Sequence, residues 1–233
     1  MSSTGTVAGG GSSTSSTGGT AGGRSSTGMD TGSGLSTSVV ESDGLAPDRT
    51  VADLPPIGIL PLAPSGLVTQ LGLPADPDGV ARAVRNGTVR RLDLLRTDSG
   101  SVTLDGALLG AADEDGRAVR WHGRVEVDDA ILSDGTDPLF ACAISNGSGY
   151  SIVDGLPLTP CADLADGVLD VAVAIPITRR RRVEVEVRRA RGRAVSVTPR
   201  DGAVPLLDDG VAGTLDRRRS WWIERGAWGV YSS

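Results

Sequence analysis

The stretch RVEVEVR, from Arg182 to Arg188, alternates strictly between charged and apolar residues. Successive side chains of a β-strand point to opposite faces, so this period of two predicts a strand. A turn at residues 190–192 leads into residues 194–198, where Val195 and Val197 alternate in the same way. The two segments predict that the carboxyl-terminal part of the chain is built from short β-strands.

Similar segments occur on both sides of this stretch. Short apolar or alternating runs, separated by Gly- and Asp-rich turns, predict further strands at Val89–Leu95, Val102–Leu109, Val119–Val127, Phe140–Ser145, Leu169–Ile175, Val204–Leu207, Trp221–Glu224 and Trp228–Tyr231. Many short strands joined by such turns are typical of a β-sandwich. We therefore predict a β-sandwich domain over residues 89–233.

Helical signals are confined to residues 51–88, ahead of these strands. The apolar run Ile57–Leu60 is bounded by proline and predicts a buried strand. Ser65 is placed to cap a short helix that ends at Leu71. Asp76 and the proline after it begin a second helix, which Gly87 ends. The chain is therefore expected to be α+β, a small α/β fragment followed by the β-sandwich.

Residues 1–50 have the composition of a disordered tail. Up to about Ser38 this segment is nearly all Gly, Ser and Thr. Such a segment cannot bury enough apolar area to offset an ordering entropy of ~1–2 kcal/mol per residue. The folded part is expected to begin near Val51.

The composition of the whole chain excludes several classes of function. Of 233 residues, 23 are basic and 29 acidic, a net charge of −6, so nucleic acid is not an expected partner. All the cations are arginines, which excludes mechanisms that need a lysine. Cys142 and Cys161 cannot form a disulfide framework, and no segment suits a membrane span. These features predict a cytoplasmic protein without a transmembrane segment.

Several short motifs follow one another in a set order. They are Gly72-Leu73-Pro74, Arg91-Leu92-Asp93-Leu94, Ile144-Ser145-Asn146-Gly147 and Asp166-Gly167-Val168-Leu169-Asp170. Together they resemble the bacterial diacylglycerol kinase-like lipid kinases over about residues 51–231. The resemblance implies an α/β nucleotide-binding domain, of which residues 51–88 would be a remnant, followed by a β-sandwich domain. It also implies transfer of the γ-phosphoryl group of ATP to a lipid hydroxyl, with Mg²⁺ as cofactor.

The phosphate-binding motifs of that family are altered in this chain. Its Gly-Gly-Asp-Gly-Thr motif has only a faint counterpart at residues 7–12, which a chance match in a glycine-rich tail explains. Its Gly-Thr-Gly-Asn loop is replaced by Ala63-Pro64-Ser65-Gly66, where the proline has no N–H to offer a phosphate. The resemblance leaves Ser65 and Gly66 as the candidate nucleotide contacts. The alternative is a plain helix-capping turn.

The family's catalytic Asp-Gly-Glu turn is altered as well. Its glutamate falls on Val211 or on Gly210, depending on the alignment, and neither residue can accept a proton. The resemblance leaves Asp208 and Asp209 as candidate catalytic bases. A type I′ hairpin turn explains the Asp-Gly pair equally well.

The metal-binding turn is the motif that survives. The resemblance implies a Mg²⁺ site at Asp163, Asp166 and Val168, in which the outer two residues contribute main-chain carbonyls. The alternative is an Asp-rich turn before a strand, with Asp170 either solvated or paired with an arginine.

These features predict a diacylglycerol kinase-like protein that meets a lipid substrate at the inner membrane surface. Arginine-rich segments at 179–182 and 188–193 are candidates for contact with anionic headgroups, although a solvated hairpin face is the alternative. ATP is the expected co-substrate, and phosphoryl transfer is expected to be impaired. The other hypothesis is a non-catalytic relative, a pseudokinase that binds a lipid, a nucleotide or a partner protein.

Overall fold

β-strands are the main secondary structure of the described residues. The computed structural model describes residues 49–63, 66–112, 114–115, 117–147, 151–153, 156–179 and 182–232. Two helices come first, α1 (Gly66–Leu71) and α2 (Pro77–Asn86). The strands that follow are β1 (Thr88–Thr97), β2 (Val102–Thr103), β3 (Gly106–Leu109), β4 (Gly123–Val127), β5 (Ala130–Asp134), β6 (Ala141–Ser145), β7 (Ile152–Val153), β8 (Leu156–Pro157), β9 (Leu169–Arg179), β10 (Arg182–Gly192), β11 (Ala194–Pro199), β12 (Val204–Asp208), β13 (Val211–Leu215) and β14 (Arg219–Ser232). The tail predicted for residues 1–50 falls almost entirely outside the described residues.

The strands form two six-stranded antiparallel sheets. The first has the order β2-β1-β14-β11-β4-β5 and the second the order β10-β9-β6-β3-β12-β13, while β7 and β8 pair separately. The core contains buried side chains from both sheets, among them Leu95, Val195, Trp221 and Ile223 from the first and Leu109, Ile144, Val173 and Leu206 from the second. The predicted predominance of β-structure is confirmed. The assignment of residues 51–88 to a remnant of a nucleotide-binding domain stays a prediction.

The alternating stretch at 182–188 forms a strand, but its predicted continuation is wrong. Strand β10 runs on to Gly192 and pairs with β9 along its whole length, so residues 190–192 are not a turn. The chain changes direction at Arg193, and β11 belongs to the other sheet. Because β10 is an edge strand, Val183 remains 53% exposed. Val185 and Val187 pack against a small cluster of buried residues that includes Ala172 and Ala174 of the neighbouring strand β9.

The segment Ile57–Leu60 is not the buried strand that its apolar run predicts. Ile57 forms a single parallel bridge with Val230, and both ends of the segment are more than two-fifths exposed. The Ile57 N–H donates to the Gly229 carbonyl at 2.9 Å. Prolines at positions 55, 56 and 61 have no N–H, so the ladder cannot extend in either direction.

Apolar side chains from residues 51–63 and 66–73 pack against strands β1 and β14 of the first sheet. A second apolar cluster contains Leu71 and Leu73 from the α1 region, Leu92 from β1, and Trp228 and Val230 from β14. The carboxyl-terminal end of α1 is thereby fixed beside the strands. Among the described residues, no helix is long and apolar enough to cross a bilayer.

The ends of α2 agree with the sequence-based prediction. The Asp76 carboxylate accepts a hydrogen bond from the Gly79 N–H at 2.8 Å, and Pro77 is the first helical residue. At the other end, the Gly87 N–H donates to the Ala83 carbonyl at 2.7 Å. The predicted N-cap and the predicted end of the helix are both confirmed.

Replacing Asp76 by alanine should lower the free energy of unfolding by about 1 kcal/mol, since the Gly79 N–H loses its acceptor. Urea denaturation followed by circular dichroism measures the change. Asp78→Ala removes a carboxylate from the same first turn without removing the cap, so it should cost less. Equal losses in the two variants would attribute the effect to charge rather than to capping.

Candidate functional site

The Asp-Gly pair of the altered catalytic motif forms a tight hairpin between β12 and β13. Asp208 pairs with Val211, which leaves Asp209 and Gly210 as a two-residue loop. Both loop residues have positive φ, 46° and 81°, as a type I′ turn requires. The predicted hairpin turn is confirmed. Val211, one position to which the family's glutamate aligns, is 70% exposed.

The Asp209 carboxylate is fully engaged with the backbone of the β2–β3 connection. It accepts hydrogen bonds from the N–H groups of Leu104 at 2.6 Å, Asp105 at 2.9 Å and Gly106 at 3.1 Å. Its own N–H donates to the Gly106 carbonyl at 3.0 Å. Three N–H donors on one carboxylate fix the position of the side chain. Asp209 therefore acts in this fold as an anchor for the connection.

Asp208 is engaged less completely. Its Oδ1 accepts a hydrogen bond from the Thr103 hydroxyl at 2.6 Å. Burial raises the pKa of Asp208, and the nearby Asp209 charge raises it further, while Thr103 and Arg219 oppose the shift. Both predicted catalytic carboxylates thus lie against the β2–β3 connection.

Asp105 lies within that connection and is the most perturbed carboxylate nearby. Burial, with a smaller contribution from the Asp209 charge, raises the pKa of Asp105 to about 6. Its Oδ1 is buried and has no hydrogen-bond partner among the described residues. A Cβ atom on Gly147 would lie 2.3 Å from this oxygen and 3.1 Å from Gln70 Oε1. A side chain at position 147 would therefore displace the Asp105 carboxylate.

Asn146 connects this region to the next group of carboxylates. Its buried side-chain amide donates to the carbonyls of Asp93 and Leu104, both at 2.8 Å. Its Oδ1, like that of Asp105, is buried and has no hydrogen-bond partner among the residues described. We use the name polar junction for the residues linked in this way, which are Asp93, Thr103, Asp105, Asn146, Asp208 and Asp209.

Asp93 lies at a bulge between β1 and β14. The register passes from Leu92↔Trp228 to Leu94↔Glu224, so three residues of β14 oppose Asp93. Its carboxylate accepts from the N–H groups of Gly226 and Gly167, both at 2.7 Å. Burial raises the pKa of Asp93, and these two hydrogen bonds partly offset the rise. Asp93 thus joins the first sheet to the loop that contains the predicted metal site.

The residues of the predicted metal site are close in sequence and mostly exposed. Asp163 Oδ1 accepts from the Ala165 N–H at 3.0 Å, and Asp166 Oδ1 accepts from the Val168 N–H at 3.1 Å. Within the described part of the chain, no group of three or more His, Cys, Asp or Glu residues is arranged to hold a metal ion. The Mg²⁺ site stays a prediction. Asp170 pairs with Arg191, as the alternative interpretation of this turn expects.

The predicted nucleotide contacts are only partly described. Ser65 lies outside the described residues, while Gly66 is the first residue of α1 and is exposed. The other end of this helix brings Gln70 next to Gly147, the residue that follows Asn146 of the polar junction. His122, the single histidine, pairs with Asp201 at an exposed position.

Three described arginines of the arginine-rich segments interact within the chain. Arg188 contacts Glu186 and Asp137, and Arg179 contacts Glu184. Arg189 donates instead to the carbonyls of Leu158 and Pro157. The pairing agrees with the solvated hairpin face that the sequence offers as the alternative to a headgroup site.

Comparisons with known proteins relate this fold to one group of structures. No protein-family model matches the sequence, and no curated protein matches it. The crystal structure of a "putative diacylglycerol kinase" from Bacillus anthracis str. Sterne superimposes with a TM-score of 0.54 and 13% identity, over 71% of this chain and 64% of that one. A structure described as a diacylglycerol kinase and another described as "a putative diacylglycerol kinase", both from the same organism, give TM-scores of 0.51 and 0.52 at 12% and 14% identity. Each of these two superpositions covers 71% of this chain, together with 62% and 64% of the respective matched chain.

At these identities the likeness shows the fold, which is diacylglycerol kinase-like. The chain spans less than two thirds of the length of the structures it resembles.

Proposed function

We propose that this chain is a diacylglycerol kinase-like protein that binds a lipid at the inner membrane surface and whose own phosphoryl transfer is impaired. The shared fold supports the relation to lipid kinases. The observation that carries the impairment is the engagement of Asp209 by three backbone N–H groups. Cytoplasmic location and peripheral attachment are part of the same proposal.

Phosphoryl transfer depends on positioning the phosphates, neutralising their charge and accepting a proton from the attacking hydroxyl. Mg²⁺ carried by ATP would neutralise phosphate charge, and Ser65 with Gly66 would contact the nucleotide. The chain offers no lysine to the phosphates. Asp209 is held by three backbone N–H groups and Asp208 Oδ1 is bonded to Thr103, so both carboxylates help to hold the β2–β3 connection.

Purified protein should therefore transfer phosphate from ATP to diacylglycerol at a rate close to background. Loss of a general base alone typically removes a factor of about 10²–10⁴ in rate. Radiolabelled ATP with diacylglycerol in mixed micelles measures transfer, and an active diacylglycerol kinase serves as the positive control. Sedimentation with vesicles that contain diacylglycerol measures lipid binding. Absence of both binding and transfer would contradict the proposal.

A second candidate function, a divergent lipid kinase, is favoured by one observation. Asp105 has a pKa of about 6 and a carboxylate oxygen without a partner among the described residues, features suited to a general base. In that case phosphorylated lipid should form, and Asp105→Asn should abolish its formation. Asp134→Asn, at an exposed carboxylate of β5, is the matched control and should leave the rate unchanged.

A further inference from the structure

Two strands and a loop bring carboxylates together around one guanidinium group. Asp166 lies in the loop before β9, Asp170 lies in β9, and Arg191 lies opposite Asp170 in β10. Arg191 Nε lies 3.2 Å from Asp170 Oδ2, and its Nη2 contacts Asp166 Oδ2. The two carboxyl side chains are 11% and 29% exposed, and Arg191 forms an ion pair with each of them.

This arrangement uses the oxygens that a divalent cation would need. Mg²⁺ takes oxygen ligands in a near-octahedral shell and binds carboxylates directly. Asp166 is the one residue of the predicted site expected to bind through its side chain, and both of its oxygens are engaged, by the Val168 N–H and by Arg191. Asp163 Oδ1 is likewise bonded, to the Ala165 N–H. As arranged, these residues do not fit a metal ion.

We propose that the Arg191 guanidinium takes the place of a divalent cation and makes this loop independent of metal. A guanidinium group is permanently charged, and its planar fork bonds two acceptors at fixed angles. Arg191 uses two of its nitrogens in this way, one for each carboxylate. The proposal rests only on this ion-pair cluster and does not depend on lipid or nucleotide binding.

The cluster has a structural task that explains why a fixed cation is useful. The loop before β9 supplies the Gly167 N–H to Asp93, and its Leu164 carbonyl accepts the Asp93 N–H at 2.7 Å. Leu164 is buried in the apolar cluster shared by α1, β1 and β14. Arg191 therefore ties β10 to a loop that completes the polar junction.

Thermal unfolding with and without divalent cations tests the proposal. The melting temperature of the wild-type protein should differ by less than about 1 °C between about 10 mM MgCl₂ or CaCl₂ and EDTA at matched ionic strength, because no cation binds the folded loop. Stabilisation of the wild type by either cation, lost in Asp166→Asn, would overturn the proposal.

Removing the guanidinium group should create a response to metal. Arg191→Ala should lower the melting temperature by about 2–6 °C in EDTA, since two carboxylates lose their counter-charge. Calcium or magnesium at about 10 mM should then restore about 2–4 °C. Calcium is included because it accepts irregular oxygen shells. Arg191→Ala without any such recovery would show that the guanidinium group does not occupy a cation position.

Three further variants separate this effect from general ones. Arg188→Ala removes an arginine of the same strand that also contacts two carboxylates, Glu186 and Asp137, and it should gain no metal response. Adding Asp166→Asn to Arg191→Ala should abolish the recovery. Arg191→Lys keeps the charge and should behave like the wild type toward metal, which tests the proposal even if Arg191→Ala does not fold. Recovery by metal in Arg188→Ala would attribute the effect to non-specific screening and contradict the proposal.

Discussion

Replacing Asp93 by alanine should lower the free energy of unfolding by about 2–4 kcal/mol. The carboxylate accepts from the N–H groups of Gly167 and Gly226, and Asp93 itself is 3% exposed. In the variant both donors lose their acceptor at a site that water does not reach freely. Each buried unpaired donor costs about 1–3 kcal/mol of unfolding free energy. Removing the buried carboxylate charge offsets part of this loss.

Urea denaturation measures the loss, and Asp134→Ala provides the matched control. Asp134 also accepts two hydrogen bonds, from the N–H and the hydroxyl of Thr136, but it is exposed. Water can replace its carboxylate there, so the loss should be much smaller. Similar losses in the two variants would mean that Asp93 does not hold the bulge together.

The sequence predicts individual strands better than their pairing, because alternation is local and pairing is not. RVEVEVR has the period of a strand whichever partner it finds, and β10 pairs with β9 along its whole length. Nothing in the stretch indicates that the next strand, β11, belongs to the opposite sheet. The hairpin turn at Asp209 and Gly210 was predictable because its φ requirement is met by two adjacent residues.

The sequence did not indicate β5 and β13, each of which lies at the edge of a sheet. Four of the five residues of β13 are exposed, and three of the five residues of β5 are exposed. A strand paired on one side and exposed on most of its surface needs no regular apolar pattern. The apolar run at Ile57–Leu60, in contrast, predicts a strand that does not form. The flanking prolines restrict its pairing to one bridge.

The polar junction could be predicted in part. The motifs that carry the resemblance contain Asp93, Asn146 and Gly167, and the structure links the three through hydrogen bonds. Asp105 was missed because the run Val102–Leu109 predicts one continuous strand, whereas residues 104 and 105 separate β2 from β3. Its burial depends on Gly147, 42 positions away, and its electrostatics depend on Asp209. The contact between Arg191 and Asp166 could not be predicted from local patterns either, because the two residues are 25 positions apart in the sequence.

Asp105→Asn should make the protein more stable at pH 8, by about 1–3 kcal/mol, and less sensitive to pH. The pKa of Asp105 is about 6 in the folded protein against 3.8 ordinarily, so the folded state holds this proton more tightly than the unfolded state. Its contribution to stability therefore falls as pH rises from about 4 to about 6 and stays at its lowest value above that range. Asparagine carries no such charge.

The measurement is the difference in unfolding free energy between the variant and the wild type, taken by urea denaturation from pH 4 to pH 8. Taking the difference cancels the titration of all other carboxylates, several of which change stability in the opposite direction. The difference should grow in favour of Asp105→Asn up to about pH 6 and then level off. Asp163→Asn, at an exposed carboxylate, is the control that removes a charge without relieving burial. A variant less stable than the wild type at pH 8 would mean that the ionised carboxylate is needed by the fold. If Asp105→Asn stabilises the protein instead, the buried charge of Asp105 lowers the stability of the wild-type fold. Residues of functional sites commonly carry such a cost in stability.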